Sequence, residues 1–176
     1  PGVTVQIRYA SPGEAKRLLD SDEAELAVIP EPVELLRYQV RRLHATEKWG
    51  LLMRSDDPLA GRNGIDHNQL RELPLLMPEK SDMMHEVVKW LGGEIRSLHI
   101  KGNYNLISCA GDMMEDGKTY ALALEGSCEF LDSSRFSFVP LRPELRIETA
   151  LAWKKYQSCD RVSEHFLSFL ERLSCK

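Results

Sequence analysis

The stretch YASPGEAKRLLDSDEAELAVI, residues 9–29, predicts a capped helix that leads directly into a buried strand. Ser11 can cap the helix, Pro12 fits its first position, and Glu14 can reach back to complete a capping box. Apolar residues at helical spacing supply a buried stripe: Ala15, Leu18 and Leu19. The run ELAVI, residues 25–29, is short and apolar, which favours a buried parallel strand. A helix joined to such a strand is a building unit of α/β folds.

Strand and helix signals continue to alternate along the chain. The predicted strands lie at 3–8, at two extended stretches within 38–54, and at 74–77, 95–101, 119–124, 136–141 and 147–155. The further predicted helices lie at 66–72, 81–93, 106–116 and 160–173. This order predicts an α/β fold with mainly parallel sheets covered by helices. Ligands of such folds bind at the sheet edge where the helices begin.

Apolar spacing also predicts which face of each helix is buried. The helix 81–93 would end at Gly92 and Gly93 and would bury Met84, Val87, Val88 and Leu91. Asn105 would cap the helix 106–116, and the inward residues of this helix would be Leu106, Cys109, Ala110 and Met113. The stripe of the last helix would be Val162, Phe166, Phe169, Leu170 and Leu173.

The composition excludes several classes of protein. The chain has 176 residues, of which 43% are hydrophobic and 28% charged, as in ordinary globular domains. A net charge of −4 disfavours a surface that binds DNA by itself, because phosphate contacts need clustered Lys and Arg. No apolar run approaches the roughly 20 residues of a membrane span. The first residues, PGVTVQIRYA, do not have the pattern of a signal peptide.

Neither a metal site nor a catalytic motif is predicted. The four cysteines lack metal-finger spacing, and we interpret them as reduced thiols of a cytoplasmic protein: Cys109, Cys128, Cys159 and Cys175. Two disulfides in a secreted protein are the alternative. The five histidines show no ligand spacing, and no nucleophile, Walker or dinucleotide motif occurs. We therefore expect no metal, no cofactor and no enzymatic activity.

Four collinear segments resemble the effector-binding domain of LysR-type transcriptional regulators. The segment AKRLLDSDEAELAVI is similar to the family's helix end and GELDLAI strand, and WGLLMRSDDPLAGRNGIDHNQLRELPLLM to its strand, HPLA loop, short helix and PLI strand. NLISCAGDMMEDGKTYALAL resembles the helix before GLGIAL, and FVPLRPELRIETALAWKKYQSCDRVSEHFLSFLERL resembles the closing strands and last helix. Glu25, Asp57 and Lys118-Thr119 depart from the family's usual Asp, His and Leu-Gly.

The resemblance implies two Rossmann-like lobes joined by two crossover strands, as in type II periplasmic binding proteins. The first lobe would comprise residues 1–73 and 147–176, and the second residues 74–146, with crossovers near Leu73 and at 143–148. The opening PGVTVQI resembles a segment that in the family follows a first strand, a long helix and a DNA-binding winged helix. We therefore expect the first lobe to be incomplete at its N-terminus and the winged helix to be absent.

The resemblance also implies effector-binding residues at three helix starts that face each other between the lobes. These are Ser11 in the first lobe, Met77, Pro78 and Glu79 before a helix near Ser81, and Asn103, Tyr104 and Asn105. Helix starts receive carboxylates and phosphates well, which favours an anionic effector. The alternatives are structural, since Ser11 and Asn105 could simply cap helices and Met77-Pro78 could pack in the core.

The function implied is that of a ligand-sensing regulatory domain of a bacterial LysR-type regulator. Such a domain would bind a small metabolite, associate as a dimer or tetramer, and influence DNA only through the absent N-terminal domain, with no membrane partner. Its mechanism would be a population shift. A solute-binding protein of a transporter with the same fold is the alternative. A third reading is an enzyme on this scaffold, for which the sequence offers no nucleophile–base pair.

Overall fold

The computed structural model describes residues 2–79, 84–93, 95–115, 117–155 and 161–174. The helices are α1 (Pro12–Asp20), α2 (His67–Glu72), α3 (Met84–Trp90), α4 (Ile107–Met113), α5 (Glu125–Cys128) and α6 (Arg161–Ser174). The strands are β1 (Ala27–Pro30), β2 (Tyr38–Arg54), β3 (Pro74–Pro78), β4 (His99–Tyr104), β5 (Tyr120–Leu124), β6 (Phe136–Pro140) and β7 (Arg146–Lys154). Within these described segments, no helix combines the length and apolarity needed to cross a membrane.

The chain forms two compact units. The first contains Pro1–Ala45 and Glu148–Lys176, and the second contains Thr46–Ile147. The chain therefore passes from one unit to the other within β2 and again within β7. The first boundary lies inside β2, whereas the predicted lobe boundary was at residue 73, because β2 runs without a turn into the sheet of the second unit. The division into lobes that close on a ligand remains a prediction.

In the first unit, α1 packs on a sheet with the strand order β1-β7-β2. The predicted cap is confirmed, since Ser11 Oγ accepts a hydrogen bond of 3.3 Å from the backbone N–H of Glu14. The core of this unit is formed by side chains of α1 and all three strands: Ala15, Leu19, Ile29, Tyr38 and Ala152. The opening stretch of the sequence therefore does fold as a capped helix followed by a strand.

Two strand predictions in the first unit are wrong. β1 pairs with β7 in an antiparallel arrangement, with Ala27 opposite Ala152, and not in parallel. β1 is an edge strand, and its Val28 side chain is 61% exposed whereas that of Ile29 is 1% exposed. Residues 3–8 form no strand, although Val5 and Ile7 alternate with polar residues and are exposed. Alternation predicts an extended chain, but a strand also needs a hydrogen-bonded neighbour.

The buried face of α6 also differs from the predicted stripe. Val162, Phe166 and Phe169 are between 44% and 49% exposed, whereas Ser163 is only 6% exposed. The hydroxyl of Ser163 donates a hydrogen bond to the Glu25 carboxylate. Arg41 Nη1 donates a bond of 2.9 Å to the backbone carbonyl of Leu167. The prediction is therefore wrong for Val162, Phe166 and Phe169, whereas Leu170 is half-buried. The side chain of Leu173, the last residue of the predicted stripe, lies outside the described residues.

The second unit contains a mixed sheet with the strand order β6-β2-β5-β3-β4. β3 pairs in parallel with both β4 and β5, as the α/β pattern predicted. β2 pairs antiparallel with β5 and with β6, so the sheet is less uniformly parallel than expected. Side chains alternate between the two faces of this sheet, and both faces are covered.

One face carries Leu51, Met53, Leu75, Met77 and Leu122, which pack with Leu70 of α2 and Val87 of α3. The opposite face carries Leu52, Leu76 and Ala121, which pack with Ala110 and Met114 around α4. Both faces of such a sheet are apolar, which explains the nearly continuous runs LLM and PLLM in the sequence.

The helix termini of the second unit follow the sequence closely, with one exception. Asp66 and Gln69 form a capping box at the start of α2, the helix predicted at 66–72, and Gly92 and Gly93 close α3 with positive φ angles of 72° and 87°. The exception is α4, whose N-cap is Leu106 with no side-chain cap, so the prediction that Asn105 caps this helix is wrong.

The register of α4 differs accordingly. Ala110, Gly111 and Met114 face the core, whereas Cys109 is exposed and Met113 is 47% exposed. The predicted inward positions of Leu106, Cys109 and Met113 are therefore wrong, because the buried stripe is displaced by one residue. The strand predicted at 95–101 instead begins as a short 3-10 turn, and β4 starts only at His99.

Candidate functional site

The ends of three strands of the second unit, and the middle of β2, lie at one edge of its sheet. β4, β3 and β5 are parallel neighbours, so their carboxyl ends share that edge. β2 runs antiparallel to β5, with Trp49 opposite Leu124, so its entry into the unit lies at the same edge. We call residues 47–48, 78–79, 103–105 and 124–126 the rim. Open α/β sheets bind ligands at this kind of edge.

The ends of β3 and β4 bring together most of the predicted effector-binding residues. Pro78 lies opposite Tyr104 in the parallel register, and the backbone N–H of Glu79 donates a bond of 2.8 Å to the Tyr104 carbonyl. The side chains of Glu79, Asn103 and Asn105 are exposed. The ends of β3 and β4 therefore expose one carboxylate and two carboxamides.

Two of the predicted residues have structural roles. Met77 is 3% exposed and belongs to the core. Tyr104 is 8% exposed, and its hydroxyl donates a bond of 2.7 Å to the backbone carbonyl of Leu122 on β5. Burial raises the pKa of the Tyr104 hydroxyl well above its ordinary value. Both side chains are thus buried and stabilise the strands that end at the rim. A direct contact of Met77 or Tyr104 with an effector stays a prediction.

The side chain of Asn105 does not cap α4, but it does bind the backbone at the start of that helix. Its Oδ1 atom accepts a bond of 2.9 Å from the backbone N–H of Leu106, the residue that begins the turn into α4. This bond holds the exposed carboxamide at the end of β4 without forming a helix cap. The arrangement fixes the direction of the side chain, as a recognition residue requires.

The middle of β2 and the end of β5 carry charged groups in close contact. The Glu47 carboxylate accepts a bond of 2.7 Å from the backbone N–H of Gly126, and Lys48 Nζ lies 3.5 Å from Glu125 Oε2. Burial raises the pKa of the Cys128 thiol to about 12, and the charges of Glu125 and Glu47 add to this effect while a bond with Ser127 opposes it. The carboxylates of Glu47 and Glu125 therefore act electrostatically on the nearby Cys128 thiol.

Sequence reasoning missed the contribution of β2 and β5 to the rim. Glu47, Lys48, Glu125 and Gly126 were not among the predicted residues. The available signal was that TYALAL ends at a Glu-Gly pair, because the carboxyl end of a parallel strand meets those of its neighbours. No comparable signal exists for Glu47, whose place depends on antiparallel pairing with β5.

Two predicted positions lie apart from the rim. Ser11 belongs to the first unit and caps α1, so its part in effector binding stays a prediction. Ser81, near which a helix start was predicted, lies outside the described residues, as do Met83, Cys159 and Cys175. Cys109 and Cys128 are free thiols. Among the described side chains, no group of His, Cys, Asp or Glu is arranged to hold a metal ion.

A small pocket lies at the opposite edge of the same sheet, where β2 ends and β6 begins. Its volume is about 230 Å³, and it is lined by Arg54, Asp56, Glu115, Ser134, Arg135 and Phe136. Each arginine is paired with a carboxylate, Arg54 with Asp56 at 2.7 Å and Arg135 with Glu115 at 2.9 Å. The charges balance within the chain, so this pocket has no unpaired charge to offer a ligand.

The two units joined through β2 and β7, and the polar rim at the strand ends, define a ligand-binding domain of the type II periplasmic-binding-protein-like class. A family model described as LysR substrate binding domain matches residues 1–174. The chain therefore belongs to the LysR substrate binding domain family, and it is a ligand-sensing regulatory domain. No curated protein sequence matches the chain.

Solved structures agree on the fold. The CcmR regulatory domain of Synechocystis PCC6803, in complex with 2-PG, is 14% identical with a TM-score of 0.74, and the match covers 93% of this chain and 79% of that one. HinK, a LysR family regulator of Pseudomonas aeruginosa, is 18% identical with a TM-score of 0.76, covering 98% and 61%. Full-length CbnR complexed with target DNA is 13% identical with a TM-score of 0.72, covering 96% and 59%. The chain thus spans about three fifths of the latter two proteins.

Proposed function

We propose that the rim binds a small-molecule effector, and that binding changes how a full-length LysR-type regulator holds DNA. The observation that carries this proposal is the alignment of the ends of β3, β4 and β5 on one sheet edge, with Glu79, Asn103 and Asn105 exposed there. Structures of similar proteins support both parts of the proposal, effector binding and DNA binding. The regulatory domain of CcmR was solved with 2-PG, and full-length CbnR was solved with its target DNA.

The mechanism is a shift between arrangements of the whole regulator, with no covalent step. An effector moves such an equilibrium only if it binds one arrangement more tightly than the other. In this proposal, DNA binding and assembly as a dimer or tetramer are properties of the full-length regulator. This mechanism does not specify the charge of the effector, which depends on the hydrogen-bond donors and acceptors of the rim.

The test is a comparison of effector affinity with thermal stability. Single metabolites (amino acids, organic acids, amines, sugars and nucleosides) are screened against the purified chain by thermal shift, and each hit is then titrated calorimetrically. Asn103→Ala and Asn105→Ala each remove side-chain hydrogen bonds and should weaken binding about tenfold. Asn68→Ala, which changes an exposed asparagine of α2 outside the rim, is the matched control and should leave the affinity unchanged.

Two outcomes would contradict the proposal. The first is a hit whose affinity is the same in wild type, Asn103→Ala and Asn105→Ala, since the binding site would then lie elsewhere. The second is an Asn105→Ala variant that melts several degrees lower while its affinity holds. In that case Asn105 would serve only the turn into α4.

A further inference from the structure

The pocket at the sheet edge opposite the rim combines both signs of charge with an apolar wall. Its volume is about 230 Å³, whereas pockets for drug-sized ligands measure roughly 300–1,000 Å³. Phe136, which lines the pocket, is 9% exposed and belongs to the core of the second unit. The pocket therefore suits a ligand of only a few non-hydrogen atoms.

The guanidinium group of Arg135 is held in position and keeps most of its donors free. It lies 5.2 Å from the ring centroid of Phe136, a cation–π contact. Its Nη2 atom donates a bond of 2.9 Å to Glu115 Oε1, and its Nε and Nη1 atoms have no acceptor among the described residues. A guanidinium carries five N–H groups in a planar fork that matches a carboxylate. One edge of this fork, with two parallel N–H groups, is therefore open to a carboxylate.

The carboxylate of Glu115 also keeps an atom free. Its Oε1 atom accepts the bond from Arg135, whereas its Oε2 atom accepts no bond from the described residues. An ionised carboxylate only accepts hydrogen bonds, and an ammonium group only donates them. Glu115 Oε2 is therefore suited to an ammonium group. Asp116, the next residue of the chain, lies outside the described residues.

The second arginine of the pocket is used by the chain itself. Arg54 Nε and Nη2 donate bonds of 2.9 Å and 2.7 Å to the two carboxylate oxygens of Asp56. Its Nη1 atom donates a longer bond of 3.3 Å to the backbone carbonyl of Glu115, which ties the end of β2 to the turn after α4. Arg54 and Asp56 thus form a wall of the pocket, and Arg135 and Glu115 carry its free hydrogen-bonding atoms.

A ligand with a single charge fits this arrangement poorly. Arg135 Nη2 and Glu115 Oε1 are 2.9 Å apart, so a ligand bound to either group lies beside the other. Glu115 would repel an anion bound to Arg135, and Arg135 would repel a cation bound to Glu115. A ligand with both charges on adjacent groups meets an opposite charge at each of them. Such a ligand closes a ring of four alternating charges.

We propose that this pocket binds a small α-amino acid in its zwitterionic form. The α-carboxylate accepts bonds from the open edge of Arg135, and the ammonium group donates to Glu115 Oε2. Both groups of an α-amino acid are attached to one carbon atom, so their charges are adjacent, as are those of Arg135 and Glu115. The pocket is separate from the rim and goes beyond the effector site proposed there. Because Arg135 and Glu115 are 54% and 63% exposed, solvent screens their charges, and we expect a dissociation constant of about 1–10 mM.

The first experiment removes the charges of the ligand one at a time. L-alanine is titrated into the purified chain at low ionic strength and followed by two-dimensional amide NMR. The matched probes are N-acetyl-L-alanine, which lacks the ammonium group, and L-alanine methyl ester, which lacks the carboxylate. L-alanine should bind saturably and shift the amide signals of Gly117, Arg135 and Phe136. Each analogue should bind about tenfold more weakly or worse, and added salt should weaken the binding of L-alanine.

The second experiment removes the charges of the pocket. Arg135→Gln and Glu115→Gln each change an exposed side chain, so they should weaken L-alanine binding about tenfold with little change in the thermal melt. Arg146→Gln is the matched control, because Arg146 is also exposed and lies 2.6 Å from a carboxylate oxygen, that of Glu144, outside the pocket. The affinity of this control for L-alanine should equal that of the wild type.

Three results would overturn the inference. The first is an absence of saturable L-alanine binding up to about 50 mM. The second is equal binding of L-alanine and either analogue, since the pocket would then recognise only one charge. The third is an unchanged affinity in both Arg135→Gln and Glu115→Gln, which would place the bound amino acid elsewhere. Binding that falls in Arg135→Gln and holds in Asn103→Ala belongs to this pocket and leaves the test of the rim unaffected.

Discussion

The imidazole of His67 stacks on the indole of Trp90, with ring centroids 3.8 Å apart and ring planes 15° apart. His67 Nε2 also lies 2.7 Å from the backbone carbonyl oxygen of Trp90. Trp90 Nε1 in turn donates a bond of 2.8 Å to the carbonyl of Pro143. One aromatic residue therefore ties α2, α3 and the segment before β7 together within the second unit.

Two substitutions of Trp90 should distinguish how much each of these contacts contributes to stability. Trp90→Phe keeps an aromatic ring for His67 but removes the donor to Pro143, and we expect a loss of about 1 kcal/mol in the free energy of unfolding. Trp90→Ala removes ring and donor and should cost about 3 kcal/mol. Urea denaturation measures both. Equal losses in the two variants would mean that the stack with His67 contributes little.

A side chain at Gly126 should displace the Glu47 carboxylate. A Cβ atom there would lie 2.6 Å from both carboxylate oxygens of Glu47, which form the far end of a flexible side chain and can move aside. We expect Gly126→Ala to lower stability by about 1 kcal/mol, because the hydrogen bond between Glu47 and the Gly126 N–H is lost. Gly61→Ala is the control, because nothing lies within 4 Å of its added Cβ. Adding Glu47→Ala to Gly126→Ala should cost little more, and a large further loss in urea denaturation would contradict the displacement of the carboxylate.

Asp66 and Asn105 should differ in their effect on stability. Asp66 Oδ1 accepts bonds of 2.9 Å from the N–H groups of both Asn68 and Gln69 in the capping box of α2. Asp66→Ala should therefore cost about 1 kcal/mol. Asn105→Ala should cost less, because Asn105 is not the N-cap of α4. Thermal melts of the two variants decide this, and a larger loss for Asn105→Ala would contradict the assignment.

Alkaline pH should destabilise the chain through Cys128. Burial raises the pKa of its thiol from 9.0 to about 12 in the folded state. A raised folded pKa means that stability is fully present below pH 9 and is lost as pH rises from about 9 to 12, since only the unfolded chain releases the proton there. Unfolding measured across this range should show a smaller decline in Cys128→Ala. An identical decline in both proteins would exclude this thiol as the cause.

Several features of the fold could be predicted from local sequence. The capping box of Asp66 and Gln69, the cap at Ser11, and the ends of α3 at Gly92 and Gly93 all follow from residues a few positions apart. The apolar run PLLM, which ends at Met77, also predicted a buried strand correctly. The two extended stretches predicted within 38–54 are instead one continuous strand, β2. These features depend on hydrogen bonds between residues close in sequence and on the periodicity of apolar side chains, and both can be recognised in the sequence.

The candidate site was predicted only in part. The ends of β3 and β4 were found because strand–helix boundaries are visible in sequence, and the register then brings Pro78 beside Tyr104. Asn105 was assigned to the wrong helix position, because its side chain binds the next amide and the first turn starts one residue later than predicted. Glu47 was missed, because its position depends on a strand pairing across 79 residues of chain.

The sequence by itself determined most of the strand–helix order, the cap of α1, the capping box of α2 and the glycines that close α3. Only the tertiary structure decided that β1 runs antiparallel to β7, that α6 turns Ser163 inward, and that Glu47 meets Gly126. The physical reason is the distance along the chain over which each interaction acts. Local propensity acts over one or two turns of chain, whereas strand direction and the partners of a carboxylate follow from hydrogen bonds between segments distant in sequence.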